Sequence, residues 1–490
     1  MPTNERSAWR TWLGQPPGKT PPRLHLIGIG GSGLAAIARV LLQRGFRVSG
    51  SDRQESATLA ELRSLGATAF VGHAAAQVAG ADLVLISSAV PPDNPEVTAA
   101  QAAGVPVVKR QDFLGPLLHE QTLIAVAGTH GKTTTTGMVA TILIGAGRQP
   151  GFIVGGLVRN LGVNAAAGAG QVFAIEADEY DHMFWGLHPT VAIITNAEWD
   201  HPDCYPTAAL FAQAFDRFMR QVRPGGWLVA CADDPGAQQL AAAYATDGGQ
   251  VVHYGLTSGS LLHATEVDLL ADGGSRAVVW QGAELMGTLR LQVPGMHNVR
   301  NALASLAACQ CLGVAPAVAL AQLAAYRGAG RRFETKGEVN GIRVFDDYAH
   351  HPTEIRATLA AARHLAGAGR VWAFFQPHTY SRTLALWGDF CRAFGDADQV
   401  LVTDIFAARE TDHLGVSGAA LAAAIVHPAV RYIAHLEEAA NYLAQEMQPG
   451  DLLLTLGAGD GYLVGEMVLR IVKEHNGTNV HRSQDLSTNG

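Results

Sequence analysis

The chain is poor in cysteine: Cys204, Cys231, Cys309, Cys311 and Cys391 are the only five in 490 residues. Cys309 and Cys311 stand one residue apart and no second pair follows. That excludes a metal-knuckle spacing and a disulfide framework, and a reducing compartment is expected. Positive charge is not in excess. The net charge is −8 and the pI about 6.2, which argues against a nucleic-acid partner while leaving room for local phosphate pockets. The N-terminus, Met1-Pro-Thr-Asn-Glu-Arg, lacks an apolar signal core. One uncharged stretch, 302–326, is long enough to span a membrane. It is mostly alanine and is broken by Gln310, Gly313, Pro316 and Gln322, so two packed soluble helices are expected. A cytoplasmic protein without membrane partners is the expectation.

The chain is too long for one core, so several domains are expected. A 48% apolar content, abundant alanine and 55 glycines suit α/β architecture with many tight turns. The organising stretch is Leu123-Ile-Ala-Val-Ala127 followed by Gly128-Thr129-His130-Gly131-Lys132-Thr133-Thr134. An apolar strand, a glycine-bounded loop ending in Lys-Thr, and a helical segment form the layout of a phosphate-binding loop. The glycines let backbone N–H groups close around phosphate oxygens, and the helix N-terminus adds partial positive charge. Lys132 would reach the β/γ-phosphates and the Thr133 hydroxyl would sit on Mg²⁺. The spacing is tighter than the usual G-x-x-x-x-G-K-[ST], with two residues between Gly128 and Gly131.

Earlier in the chain, a strand at 24–27 runs into Gly28-x-Gly30-Gly31-Ser32-Gly33. A second strand ends at Ser51-Asp52. This is a Rossmann-type start, with an acid about 20 residues past the glycines suited to a ribose hydroxyl. Close packing is the plain alternative use of these glycines. Leu83–Ile86 delivers Ser87 to the same kind of strand end. Residues 1–20 are polar and read as a loose arm.

In the middle region, Val172–Ile175 ends in Glu176-Ala-Asp178-Glu179, candidate Mg²⁺ carboxylates beside the loop. A strand at 190–194 runs into Thr195-Asn196…Asp200-His201. His201 is open to two readings, metal ligand or hydrogen-bonded structural residue. Asn298, in Gly295-Met-His297-Asn298-Val-Arg-Asn301, matches the N6/N7 edge of adenine, or caps the following helix. After a hinge at 328–333, strands at 342–345, 371–375, 400–403 and 452–456 form a third α/β unit. The first ends in Asp346-Asp347-Tyr348-Ala-His350-His351-Pro-Thr-Glu354, the second in Gln376-Pro-His378-Thr-Tyr380-Ser-Arg382. The tail beyond about 474 is polar and patternless, and disorder is expected there.

These segments, in this order, resemble the signatures of the Mur ligase family over roughly residues 23–470. The resemblance implies an α/β fold of three domains. These are an N-terminal Rossmann-like domain at 1–120 for a UDP-sugar and a central P-loop ATPase-type domain at 121–330. A C-terminal Rossmann-like domain at 331–474 completes the fold, with a tail at 475–490. His25-Leu-Ile-Gly-Ile-Gly-Gly-Ser-Gly33, Ser49-Gly-Ser-Asp52, Gly155-Gly-Leu-Val158 and Phe375-Gln-Pro-His378 are similar to the member that adds L-alanine to UDP-N-acetylmuramate. Several later-acting members use a carbamylated lysine in the central domain, and no lysine lies between Lys132 and Lys336. The recycling member that attaches a whole tripeptide to the same sugar nucleotide is the nearest alternative. Thr379 stands where some members carry arginine, and Trp199-Asp-His-Pro-Asp-Cys-Tyr205 is an unusual local variant.

The resemblance implies ATP and Mg²⁺ as cofactors, UDP-N-acetylmuramate and L-alanine as partners, and a monomer or weak homodimer. The lactyl carboxylate would be phosphorylated and the acyl phosphate then attacked by the amine. By resemblance, Lys132, Glu176, His201 and His350 are catalytic candidates, and Thr133, Glu176 and His201 hold metal. Gly128 to Thr134, Asn298, Arg331 and Asp347 hold ATP. Gly28, Gly30, Gly31, Ser32, Gly33, Asp52, Ser87, Tyr348, His350 and Arg382 face the other substrates.

Overall fold

The computed structural model describes residues 8–15 and 17–487. Three sheets divide it. The first contains β1 (Arg23–Ile27), β2 (Arg47–Asp52), β3 (Thr68–Val71), β4 (Leu83–Ile86) and β5 (Val107–Lys109). Their order is β3-β2-β1-β4-β5 and every pairing is parallel. This doubly wound order reverses beside β1, which puts a ligand-binding crevice at the C-terminal ends of β1 and β4.

The second sheet is built from β6 (Thr122–Ala127), β7 (Gly151–Val158), β8 (Val163–Ala166), β9 (Val172–Glu176), β10 (Val191–Ile194), β11 (Trp227–Cys231), β12 (Gln250–Gly255), β13 (Leu262–Leu269), β14 (Ser275–Gln281) and β15 (Glu284–Leu291). The order is β15-β14-β13-β12-β11-β10-β6-β9-β7-β8. The centre is parallel and reads as unbroken apolar runs, because helices cover both faces. Both ends turn antiparallel. The third sheet has β16 (Glu334–Val339), β17 (Ile342–Asp347), β18 (Val371–Phe375), β19 (Gln399–Val402), β20 (Val430–Tyr432) and β21 (Leu452–Leu456), in the order β16-β17-β21-β18-β19-β20.

Two expectations at the ends of the chain need correction. The arm before β1 contains a helix, Ala8–Leu13. Trp9 and Leu13 are buried and Trp12 meets Phe46 with ring centroids 6.0 Å apart. Their i, i+3, i+4 spacing on one helical face was outweighed in the sequence by the surrounding polar residues. At the other end the last helix, Tyr462–Ser487, continues past residue 474. A polar segment has no face to bury, yet a helix already started propagates until something interrupts it, and no proline falls within 462–487. Residues 1–7 of the arm and 488–490 of the tail lie outside the described residues. The alanine-rich stretch is two helices, Met296–Cys311 and Pro316–Ala324, as its Gly and Pro predict. Among the described residues no helix is long and apolar enough to cross a membrane, and all five cysteines are free.

The cores set which parts move together. One continuous apolar cluster runs from Leu24 and Phe113 in the first unit through Val126 and Phe184 to Tyr326 in the second. The third unit has separate cores on its two sheet faces. Polar contacts and a few partly buried side chains such as Trp199 join it to the rest. The link is irregular: Gly328 has φ 90°, Arg331 57° and Phe333 48°. Two non-glycine residues in the left-handed region within three positions are a sparsely populated backbone, of the kind found at hinges and sites.

Candidate functional site

The phosphate loop forms as its residues dictate. β6 ends at Ala127, and Gly131, at φ 82°, precedes helix Lys132–Gly145 with no side-chain cap. The first N–H groups of that helix therefore face outward beside Lys132. Gly128 sits at φ 139°, and a Cβ there would come 1.9 Å from the Thr195 hydroxyl. That hydroxyl donates to the His130 carbonyl at 2.6 Å and so fixes the loop. Gly128→Ala is expected to cost about 2–3 kcal/mol from strain and overpacking, read as a lower urea midpoint. An unchanged midpoint would sink the argument.

Lys132 Nζ donates to the Gly128 and Thr129 carbonyls and, at 2.9 Å, to Glu179 Oε1. Burial opposes its charge, but Glu179, Asp178 and Glu176 outweigh burial and raise its pKa. Glu179, one of the carboxylates expected to hold Mg²⁺, is thus the lysine's counter-ion. Glu176 Oε1 accepts from the Thr133 hydroxyl at 3.0 Å, and Oε2 accepts from the Gly155 N–H at 2.7 Å. Burial pushes the Glu176 carboxyl up, against Lys132 and Arg332. A Cβ on Gly155 would lie 2.6 Å from Glu176, so Gly155, inside β7, makes room for this acid.

Two cavities meet at the loop. The larger, about 850 Å³, brings all three units together: Ser32 and Gly33 from the first, Lys132, Thr133, Glu176 and His201 from the second, and Tyr348, His350 and Arg382 from the third. The smaller, about 380 Å³, lies between His130, Thr134 and Asn298 on the central side and Asp347 on the other. Gly131, Arg332 and Glu354 line both.

Several candidates have partners that the sequence does not reveal. Asn298 does not cap its helix, since Gly295 holds the cap position. Its amide donates to the Pro294 carbonyl and accepts from Asn301, and it borders the smaller cavity. Asp347 accepts from the Phe333 and Ala349 N–H groups, and burial pushes its pKa up to about 7. Arg331 is tied to Asp346 and to the Gly457 and Gly459 carbonyls. Its neighbour Arg332 reaches toward the Thr133 hydroxyl at 3.4 Å. Two adjacent arginines cannot be told apart by sequence; only the left-handed turn at Arg331 decides which faces the loop. Arg382 donates to Asp200 at 2.7 Å from Nε and 3.3 Å from Nη2, a nearly buried pair between two units. His201 Nε2 stands 3.4 Å from Glu179, and its Nδ1 faces Arg382. His350 donates from Nδ1 to the Tyr348 carbonyl at 2.9 Å, and burial with Arg382 pushes its pKa down to about 3.

In the first unit, Asp52 accepts from the Gly30 N–H at 2.9 Å, so the acid braces the glycine loop. A Cβ on Gly30 would meet Leu59 at 2.6 Å, and one on Gly28, at φ 84°, would meet Ser87 at 3.0 Å. Gly31 stands at the cap position of helix Ser32–Gln43 without a side-chain cap. Gly28 and Gly30 are thus closely packed, while Ser32 and Gly33 reach the larger cavity. Arg110, which sequence reasoning missed, also lines it, 3.4 Å from Asp178.

Residues 23–122 match the Mur ligase family catalytic domain, 126–309 the Mur ligase middle domain, and 331–459 the Mur ligase glutamate ligase domain. A UDP-N-acetylmuramate–L-alanine ligase of Renibacterium salmoninarum is 47% identical, over 91% of this chain and 95% of the relative. One from a Roseiflexus species is 44% identical over 92% and 99%. Among solved structures, the UDP-N-acetylmuramate–alanine ligase of Thermotoga maritima has a TM-score of 0.76 and 30% identity, covering 93% of this chain and 99% of that one. A murein peptide ligase of Psychrobacter arcticus has a TM-score of 0.67 and 26% identity over 92% and 98%. With all three domains matched in order around one phosphate loop, this chain belongs to the Mur ligase family.

Proposed function

We propose that the protein joins L-alanine to UDP-N-acetylmuramate with conversion of ATP to ADP and phosphate. The observation that carries this reading is the pair of cavities sharing Gly131, Arg332 and Glu354. A nucleoside in the smaller one would direct its phosphates over the loop into the larger one, where an acceptor carboxylate and an amine would meet them. The relatives of highest identity above support alanine as the amine, and the tripeptide-adding alternative has support only at lower identity.

Lys132 would neutralise the transferring phosphoryl group as the lactyl carboxylate attacks it. Asn298 and Asp347 would hold the adenosine from opposite sides. Ser32, Gly33 and Arg110 would face the sugar nucleotide's anionic part, and Tyr348 and His350 the alanine. His350, held neutral, could take a proton from the incoming ammonium group. The donor set suits a hard cation: Thr133 Oγ1 and Glu176 Oε1 lie 3.0 Å apart. Two adjacent octahedral ligands on Mg²⁺ are separated by about 3 Å. His201 beside Glu179 would hold a second ion. Such ions would screen the anion-on-anion approach.

The reading is tested by phosphate release from the purified protein with ATP, Mg²⁺ and UDP-N-acetylmuramate. Release that requires L-alanine is the expected result. Release with L-Ala-γ-D-Glu-meso-diaminopimelate alone would reassign the protein to the tripeptide reaction.

A further inference from the structure

A phosphate cradle works through backbone N–H groups and its lysine, so the side chain at position 130 has no duty to the phosphates. Here it is a histidine with both ring nitrogens against carboxylates. Nε2 lies 2.9 Å from Glu198 Oε2, and Nδ1 lies 3.2 Å from Glu354 Oε1. A neutral imidazole has one N–H; only the imidazolium donates to both acids. Burial opposes that charge, yet the two carboxylates win and raise the pKa to about 9. A divalent cation shared by His130, Glu198 and His351 is the competing reading, since their ligand atoms lie within 4.8 Å of one another. It fits poorly. His351 Nδ1 accepts from the Thr353 N–H at 3.3 Å, its Nε2 is buried without a partner, and both His130 nitrogens are already engaged by carboxylates.

The two acids belong to different units. Glu198 follows β10 in the central unit. Glu354 is in the first turn of helix Pro352–Ala366, where its Oε2 accepts from the His350 and His351 N–H groups in a capping box. Thr353 of that turn donates to Glu198 Oε1 at 2.7 Å. Tyr348 and His350, which face the larger cavity, lie just upstream of the same turn. The His130 N–H meanwhile donates to Asn196 at 2.9 Å. One residue of the phosphate loop is therefore bonded both to the edge of the central sheet and to the turn that holds the acceptor residues.

We propose that His130 is a positioning residue that couples the phosphate loop to docking of the C-terminal unit, so that nucleotide and acceptor pockets form in one movement. This rests on the ligase reading above. The coupling uses the apolar joint between the first two units, which keeps them together, and the polar joint to the third, which lets it move.

The test is a double-mutant cycle of His130→Gln and Glu354→Gln in the full chain. Glutamine at 354 keeps an oxygen for the capping box, so the helix start survives while the charge facing His130 is lost. Each single variant is expected to lower kcat roughly tenfold and raise the L-alanine KM, with unchanged UDP-N-acetylmuramate affinity. The double variant should be no worse than the poorer single one, because the two residues act through one contact. A double variant showing the product of the two losses, about a hundredfold, would overturn the proposal, as would two fully active singles. If the unaltered protein fails to ligate L-alanine, the ligase reading falls. Small-angle scattering then decides the coupling alone: compaction with ATP and Mg²⁺ that His130→Gln abolishes supports it, and equal compaction in both proteins refutes it.

Discussion

Replacing Lys132 by alanine is expected to lower ADP formation by at least about 10³-fold, with UDP-N-acetylmuramate affinity changed by less than about twofold. The separation follows from where the charges sit. Lys132 Nζ is fixed by two loop carbonyls and Glu179, at the point where the cavities join. Nothing in the first unit's glycine loop contacts it. Removing the ammonium leaves Glu179 buried with only His201 nearby, and a buried charge deprived of its partner costs about 3–5 kcal/mol. Lys132→Ala with Glu179→Gln removes both charges and separates lost chemistry from lost stability. Arginine is not a substitute, since a planar fork does not fit a site built for a point charge among carbonyls. Calorimetric titration with the sugar nucleotide and a coupled ADP assay read the two quantities. Loss of both in the double variant would refute the division of labour between the units.

The parallel core of each sheet was legible because its strands are buried on both faces. Leu83–Ile86, Val371–Phe375 and Leu452–Leu456 are apolar runs with polar residues directly after them, and they fall where the sequence puts them. The antiparallel additions β13 to β15 were not legible. Their burial alternates along the strand, and Gln281-Gly282 offers only a turn signal between them. The loop chemistry read well for the same local reason: Gly128, Gly131, Lys132 and Thr133 act on neighbours within a few residues. What sequence cannot supply is the partner across a domain joint. Glu198 and Glu354 are separated by 156 positions yet share one imidazole, as the two ion contacts of His130 show. Arg331 and Arg332 are adjacent yet point to different units.

The same limitation bears on Arg382, whose resemblance-based role is to hold the amino acid's carboxylate. Its guanidinium already spends Nε and Nη2 on Asp200, and Nη1 faces His378. With both side chains almost fully buried, the pair is a docking contact between the central and C-terminal units. Arg382→Gln should therefore cost about 3–5 kcal/mol of docking, equivalent to roughly 10²–10⁴-fold in kcat/KM for L-alanine. Asp200→Asn should lose a similar factor although it cannot contact a carboxylate substrate favourably or otherwise through charge. The pair should also be non-additive: Asp200→Asn combined with Arg382→Gln leaves two neutral amides able to bond each other, and is expected to recover at least tenfold over the poorer single variant. If Arg382 serves only the substrate, Asp200→Asn will leave kcat/KM nearly intact and the two losses will multiply. Steady-state rates at varied L-alanine for the three variants distinguish these outcomes. They also decide whether the substrate carboxylate falls to Arg409 instead, which stacks on Tyr180 at 4.2 Å, pairs with Asp203 at 3.4 Å and lines the same cavity.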